Sequence, residues 1–367
     1  MKLASVLDEM LYRISPACVV RGTSPRRNTS AQTRGKLMAF HIGRRTTILG
    51  AMSFPLIHAA SAEVLTDLTI GLSSASLGAA TPKIAKEMGL FAQHGIEAKF
   101  ITMESANAAT TALLSGAIKI ALSGTGELVV AQGRGQKVVA FANAYQGLGA
   151  TLVLANAVAT KIGSSPDAPI AQRLKAVGGL LLATTSATSA YTVALKAAAQ
   201  SVGSTVRFTY MSVSNMVAAL EAGAIDGYFT SAPFWALPVI HRTGVVWISG
   251  PRGELPPEFT PVSTLNFQVM RDYAEANREL ITRIIAVFVD LARAIDERPD
   301  VVKATAGKLY PDLDRATLDL LFASESLAWK TRPFTVADMA HEIAFVKSSG
   351  VTLPEIDRID PASILFR

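Results

Sequence analysis

Four short stretches crowded with hydroxyl groups each follow an apolar run and open into a helical pattern. They are "SSASLGAAT" (Ser73–Thr81), "SGTGE" (Ser123–Glu127), "SATSAYT" (Ser186–Thr192) and "SAPFW" (Ser231–Trp235). The first turn of a helix has backbone N–H groups without intrahelical partners and a partial positive charge. Beside serine and threonine hydroxyls, such a turn can hold an anionic or strongly polar group. The same hydroxyls also serve as plain N-caps, so a single stretch decides little. Four of them in equivalent positions point to a shared binding cleft. Tyr145, Tyr191, Phe229, Phe234 and Trp235 are the aromatic residues available to wall it.

Catalytic arrangements are not legible. After residue 62 the histidines are His94, His241 and His341, with no metal-spaced partners, and His341-Glu342 has no second histidine four residues on. There is no nucleophile elbow, phosphate-binding loop or dinucleotide fingerprint after a strand. The reading is therefore of a binding protein, with no catalytic residue, no metal ligand and no cofactor.

The stretches gain meaning from the elements around them. Short apolar runs alternate with helical patterns: Leu68–Leu72, Ile96–Met103, Ile118–Gly124, Lys137–Asn143 and Ala150–Asn156 read as strands. The alternation then restarts at Leu180–Thr185, Val206–Met211, Ala224–Thr230 and Gly244–Ser249. Strands alternating with helices of this length predict parallel βαβ units, and in such sheets ligands sit at the carboxyl ends of the strands. A Pro- and Gly-rich stretch, Gly250–Pro261, breaks the rhythm before one more strand, Val262–Met270. Helical patterns follow over 272–297, 300–309, 315–326 and 336–348.

One sentence is written twice. "ALLSGAIKIALSG" (Ala112–Gly124) returns as "AALEAGAIDGYFTSAP" (Ala218–Pro233), with Leu113 on Leu220, Gly116 on Gly223 and Ile118 on Ile225. This reads as a helix end, a left-handed glycine stop and a buried strand beginning at the isoleucine, once in each α/β half.

Charge and cysteine narrow the partners. The chain of 367 residues is 50% hydrophobic and 17% charged, which excludes a disordered protein. Its net charge of +6 belongs to the first 62 residues, where nine basic side chains face two acidic ones; the remainder carries 26 basic and 27 acidic residues, net −1. No basic stripe is left for a nucleic-acid partner. The lone cysteine, Cys18, lies in the same leader, so the body offers neither disulfide nor thiol chemistry.

The leader ends as an export signal. Arg44 and Arg45 precede an uncharged stretch of 13 residues, Thr46–His58, and Ala60-Ser61-Ala62 supplies a small-x-small cleavage site before Glu63. The paired arginines also resemble a twin-arginine signal, although Thr47 stands where that pattern prefers a bulky apolar residue; both routes remain open. Residues 1–37 fit neither pattern, and Met38 is the expected start, with a real extension as the alternative.

The order of these segments resembles the substrate-binding proteins of nitrate/sulfonate/taurine-type ABC importers. "EMGLFAQHGIEAKFI" before "ALLSGAIKIALSG", "TTSATSAYTVALKAAAQSVG" before "SVSNMVAALEAGAIDGYFTSAPFWA", and "RDYAEANRELITRIIAVFVDLARAIDERPDVV" carry the resemblance over residues 65–367. It implies an α/β, two-lobed type II periplasmic-binding-protein fold with a ligand cleft between the lobes. Lobe 1 would be residues 63–156 and 261–367, lobe 2 residues 157–260, and residues 1–62 the leader. The implied function is an extracytoplasmic, periplasmic solute receptor, a monomer that binds a small organic anion such as a sulfonate, nitrate or carboxylate and delivers it to an ABC permease in the inner membrane.

By position the resemblance assigns ligand contacts to Ser74, Ala75 and Ser76; to Ser123, Gly124 and Thr125; to Ser186, Thr188, Ser189 and Tyr191; and to Ser231. Loss of the Ser123 or Ser189 hydroxyl should then weaken binding by about 1–3 kcal/mol. Two departures stand out: Lys119 replaces an acid that Asp226 keeps in the second copy, and the ligand segments contain no arginine or lysine. A neutral or weakly anionic ligand fits equally well, and Glu127 offers a partner for an amine. Enzymes of the same fold, the pyrimidine synthases, desulfinases and menaquinone-pathway relatives, are the alternative class, but the first two depend on cysteines that the body lacks. A sensor partner is a third.

Overall fold

Runs such as "IALSG" and "VVAFANAY" are apolar or small at nearly every position, so both faces of these strands must be covered. A computed structural model describes residues 65–367, except Thr188, Gly350, Val351, Thr352 and Pro354. The leader signal, with Cys18 and the paired arginines, lies outside the described residues. Ten strands are described: β1 (Thr66–Leu72), β2 (Ile96–Thr102), β3 (Ile120–Gly124), β4 (Val138–Gln146), β5 (Thr151–Ala155), β6 (Leu181–Thr184), β7 (Arg207–Tyr210), β8 (Gly227–Thr230), β9 (Gly244–Ser249) and β10 (Ser263–Met270).

They form two five-stranded sheets of one design. The first runs β2-β1-β3-β10-β4 and the second β7-β6-β8-β5-β9. In each, the first three strands pair in parallel, as the helix-strand alternation predicts, and one strand enters antiparallel. The antiparallel strands are β10 and β5, the two that cross from the other sheet. A chain that leaves at the carboxyl end of β4 and returns at that end must run the opposite way. The stretch read as Ala150–Asn156 is therefore not the last strand of the first half. It is β5, paired with β8 and β9 in the second sheet, and the chain crosses over at residues 147–150.

The repeated sentence folds alike in both sheets. Gly116 and Gly223 have φ of 77° and 70°, the left-handed stop, and Leu113 and Leu220 are buried beneath the helix ends. Ile118 and Ile225 are buried too, but hydrogen-bonded strand begins two residues later in both copies, at Ile120 and Gly227. Where the copies differ, Asp226 accepts the Leu181 N–H at 2.7 Å and ties β8 to β6, while Lys119 stands 6.0 Å from the Tyr273 ring.

The two crossovers lie side by side. Gly147 N–H donates to Val262 O at 2.7 Å and Gly250 N–H to Ala150 O at 2.8 Å. A Cβ on Gly250 would stand 2.2 Å from Leu148 O and 2.5 Å from Ala150 O, both backbone atoms. Gly250→Ala is thus expected to force the crossovers apart and to destabilise by about 3 kcal/mol, at the upper end for overpacking. Gly126→Ala, with nothing within 4 Å of its Cβ, is the matched control and should stay close to wild type in urea unfolding.

The helical tail covers the first sheet. In the helix Arg278–Glu297, Leu280, Ile281, Ile284, Val287, Phe288, Leu291, Ala294 and Ile295 are buried, one stripe of a 3.6-residue period. Phe288 stacks against Phe267 of β10 at 4.3 Å between centroids. The helix Arg315–Trp329 reaches from β4 to the second half, where Ser324 and Ser249 share a hydroxyl hydrogen bond of 3.3 Å.

Candidate functional site

The carboxyl ends of β1, β3, β6 and β8 carry the four hydroxyl-rich stretches, as the alternation predicts. Ser74 and Ser76 bond each other through their hydroxyls at 2.8 Å, and Ala75 is exposed. Tyr310 pins this turn by donating to Ala75 O and Ser76 O at 3.3 and 3.2 Å. In the third stretch Ser189 caps the helix Ala190–Ser201, accepting the Thr192 N–H at 3.2 Å, and Ser186 O accepts the Thr192 hydroxyl. Thr188 lies outside the described residues.

The second stretch is the deepest. Ser123, Gly124 and Thr125 are all buried, and the first and last already have partners within the protein. Ser123 Oγ donates to Ala106 O at 3.0 Å and bonds the Thr110 hydroxyl, so it supports the neighbouring helix Ala106–Leu114. Thr125 Oγ1 donates to Ser263 O at 2.6 Å and accepts from Asn266 Nδ2 at 2.7 Å. Gln268 Nε2 holds Gly124 O at 2.8 Å. Two amides on one face of β10 thus clamp the turn from behind, which sequence reasoning missed because β10 lies about 140 residues away.

Two of the aromatic residues converge on a glutamate. Glu325, 1% exposed, accepts the Tyr145 hydroxyl at 2.6 Å through Oε2 and the Trp235 indole N–H at 3.2 Å through Oε1. Tyr145 ends β4 of the first sheet, whereas Trp235 follows β8 of the second, so a single carboxylate joins the two halves. Burial pushes Glu325 up to about 7, partly offset by its two donors. Burial, then the charge of Glu325, carries the Tyr145 hydroxyl well above its ordinary value.

Tyr191 enters the same cluster from the helix Ala190–Ser201. Its ring lies 6.0 Å from that of Phe229, and burial with the charge of Glu325 pushes its hydroxyl up to about 12. Tyr191 thus packs against Phe229 of β8, the strand that leads directly into Ser231. The side chain of Glu127 folds back over Gly124, where a Cβ would stand 2.1 Å from Oε2, so a larger residue there would displace the Glu127 carboxylate. Glu127 is raised by burial and pulled back by its own backbone N–H. Its charge also acts on Tyr191.

Glu325 was missed in the sequence, though it left a signal: it is the one acid within "LLFASESLAW" (Leu320–Trp329), an otherwise uncharged stretch. A separate hollow of about 610 Å³ lies against the crossovers, lined by Gln146, Gly250 and His341 among others. Its Arg332 is bonded to both oxygens of Asp338, its Lys330 to Asp296, and its His341 Nε2 to Thr260 O. That hollow includes none of the hydroxyl-rich stretches. Among the described residues no group of three or more His, Cys, Asp or Glu is placed to hold a metal ion, and no helix is long and apolar enough to cross a membrane.

Two sheets of matching strand order, joined by antiparallel crossovers and meeting over one buried cluster, define a periplasmic-binding-protein fold. Residues 61–309 match the model of the NMT1-like family, and the chain belongs to that family. Its fold is similar to that of the aliphatic sulphonate binding protein SsuA from Escherichia coli, with TM-score 0.60 and 16% identity over 82% of this chain and 92% of that one. The alkanesulfonate-binding protein SsuA from Xanthomonas axonopodis pv. citri, bound to MOPS, gives 0.61 and 16% over 82% and 98%. The periplasmic nitrate-binding protein NrtA from Synechocystis PCC 6803 gives 0.54 and 14% over 80% and 86%. No curated protein matches the chain. All three are sulfonate- or nitrate-binding proteins, in line with the resemblance carried by the sequence.

Proposed function

We propose that the chain is the exported solute-binding component of an ABC importer, which takes up a small molecule between two lobes and hands it to a permease of the inner membrane. Lobe 1 would run from β1 through β4 and resume at β10; lobe 2 would hold β5 through β9. The observation that carries this reading is the buried cluster of Tyr145, Glu325 and Trp235, which draws on both halves of the molecule. A site made by two halves binds only when they come together, and closure is what a permease can recognise.

In this reading Ser74, Ala75, Ser76, Gly124, Ser186, Ser189, Tyr191 and Ser231 face the solute. Ser123 and Thr125 act by holding the turn, because their hydroxyls are already bonded. The receptor works as a monomer in the periplasm and performs no chemistry on its ligand. Small organic anions are the class to try first, since the similar binding proteins take sulfonates and nitrate.

Thermal unfolding of the purified chain against alkanesulfonates, nitrate, aromatic carboxylates and pyrimidines tests the proposal, with each mixture checked afterwards for product. A solute at about 100 times its dissociation constant adds roughly 2.7 kcal/mol. A raised midpoint with the solute recovered intact is the expected result. Conversion of the solute would make the protein an enzyme of this fold instead.

A further inference from the structure

We infer that the hollow beside the crossovers is a second binding site, which takes a small molecule bearing a carboxylate or phosphate group on a short apolar body. It shares no residue with those proposed to face the solute, none of which is an arginine or a lysine. The hollow gathers three such cations, Arg252, Lys330 and Arg332, against a single acid, Asp338. Its volume of about 610 Å³ falls within the roughly 300–1,000 Å³ that small-molecule sites occupy. Leu255 and Ala328 supply apolar wall. Gly147 belongs to the first crossover, Gly250 and Val262 to the second, so an occupant rests on both passages between the sheets.

Arg332 has half of its donors to spare. Nη1 and Nη2 donate to the two oxygens of Asp338 at 2.6 and 2.8 Å, and Nη1 also donates to Pro333 O at 3.1 Å. A guanidinium carries five N–H groups. The two left over, on Nε and Nη2, lie along one edge and have no acceptor among the described residues. Such an edge matches two oxygens of one carboxylate or phosphate. Asp338 also accepts the Thr335 N–H at 2.7 Å, so the carboxylate that orients Arg332 is itself fixed. Arg252 adds charge that the protein leaves uncompensated. It is exposed on the turn closed by Gly253 N–H to Gly250 O at 2.8 Å, and it pairs with no acid among the described residues. Lys330 is paired with Asp296, which is 61% exposed. A surface pair of that kind contributes little, so Lys330 is free to turn to another anion.

The test is calorimetric titration of the full chain with phenyl phosphate, with benzoate and with benzamide, the uncharged match of benzoate. Salt at about 150 mM screens weak attraction to scattered surface charges. At least one of the two anions should bind with a dissociation constant below about 1 mM, and about tenfold tighter than benzamide or better. Arg252→Gln removes an exposed charge, and Arg332→Lys keeps the charge while losing the paired donors; each should weaken that binding about tenfold or more. Arg315→Gln, which removes an exposed cation outside the hollow, should leave it unchanged. Anion binding that survives both hollow variants lies elsewhere, which overturns this site and leaves the receptor reading standing. Benzamide binding as tightly as both anions, or no anion bound at about 10 mM, overturns it as well. Should Arg332→Lys fail to fold, the Arg252→Gln titration decides alone.

Discussion

Raising the pH from about 5 to 8 is expected to destabilise the folded chain by on the order of 5 kcal/mol, because two buried carboxylates hold protons that the unfolded chain gives up. Glu325 is raised from 4.5 to about 7 and Glu342 from 4.5 to about 8, both by burial. Glu342, 1% exposed, accepts the Ser263 N–H at 2.9 Å and braces the second crossover. An acid whose folded pKa is raised binds more protons in the folded state between the two values. Stability therefore falls as pH climbs through that window, at about 1.4 kcal/mol for each pKa unit.

Asp338 behaves oppositely. The hydrogen bonds from Arg332 hold it down to about 2, so its contribution is present above its ordinary 3.8 and is lost only in stronger acid. It leaves the window from 5 to 8 unaffected. Urea unfolding across that range should show the decline in wild type, and Glu325→Gln or Glu342→Gln should each remove about one proton's worth of slope. A flat wild-type profile, or glutamine variants with the full slope, would contradict this account.

Trp235→Ala is expected to cost about 3–5 kcal/mol, the range for emptying a large aromatic site. The indole is 1% exposed and its N–H is one of the two donors to Glu325. Trp235→Phe retains most of the apolar body and removes only the donor, so about 1–2 kcal/mol should be lost. If the indole N–H matters chiefly through Glu325, the losses from Trp235→Phe and Glu325→Gln should fail to add in the double variant by about 1 kcal/mol. Strict additivity would mean that the hydrogen bond contributes little and that Trp235 acts as packing alone.

Much of this protein was legible from local pattern. Glycine at 116 and 223 requires a left-handed stop, the apolar runs require strands buried on both faces, and the period of the tail gives its helices. These are properties of neighbours in sequence, and each described strand overlaps one of the runs, though β3 and β8 begin two residues after their isoleucines. The hydroxyl-rich stretches fell at strand ends for the same reason, since an alternating chain turns there.

What the sequence could not decide depends on contacts across long separations. Nothing in Thr151–Ala155 says that it pairs with β8 and β9 rather than with β4; that follows from which sheet the crossover enters. Ser123 looks the same in sequence whether its hydroxyl faces a ligand or Ala106 O. Glu325 gains its meaning only when Tyr145 and Trp235, 180 and 90 residues away, are brought to its two oxygens. Local propensity sets the elements because it acts over a few residues, whereas burial and partner choice, which set charge and binding character, exist only once the two sheets meet.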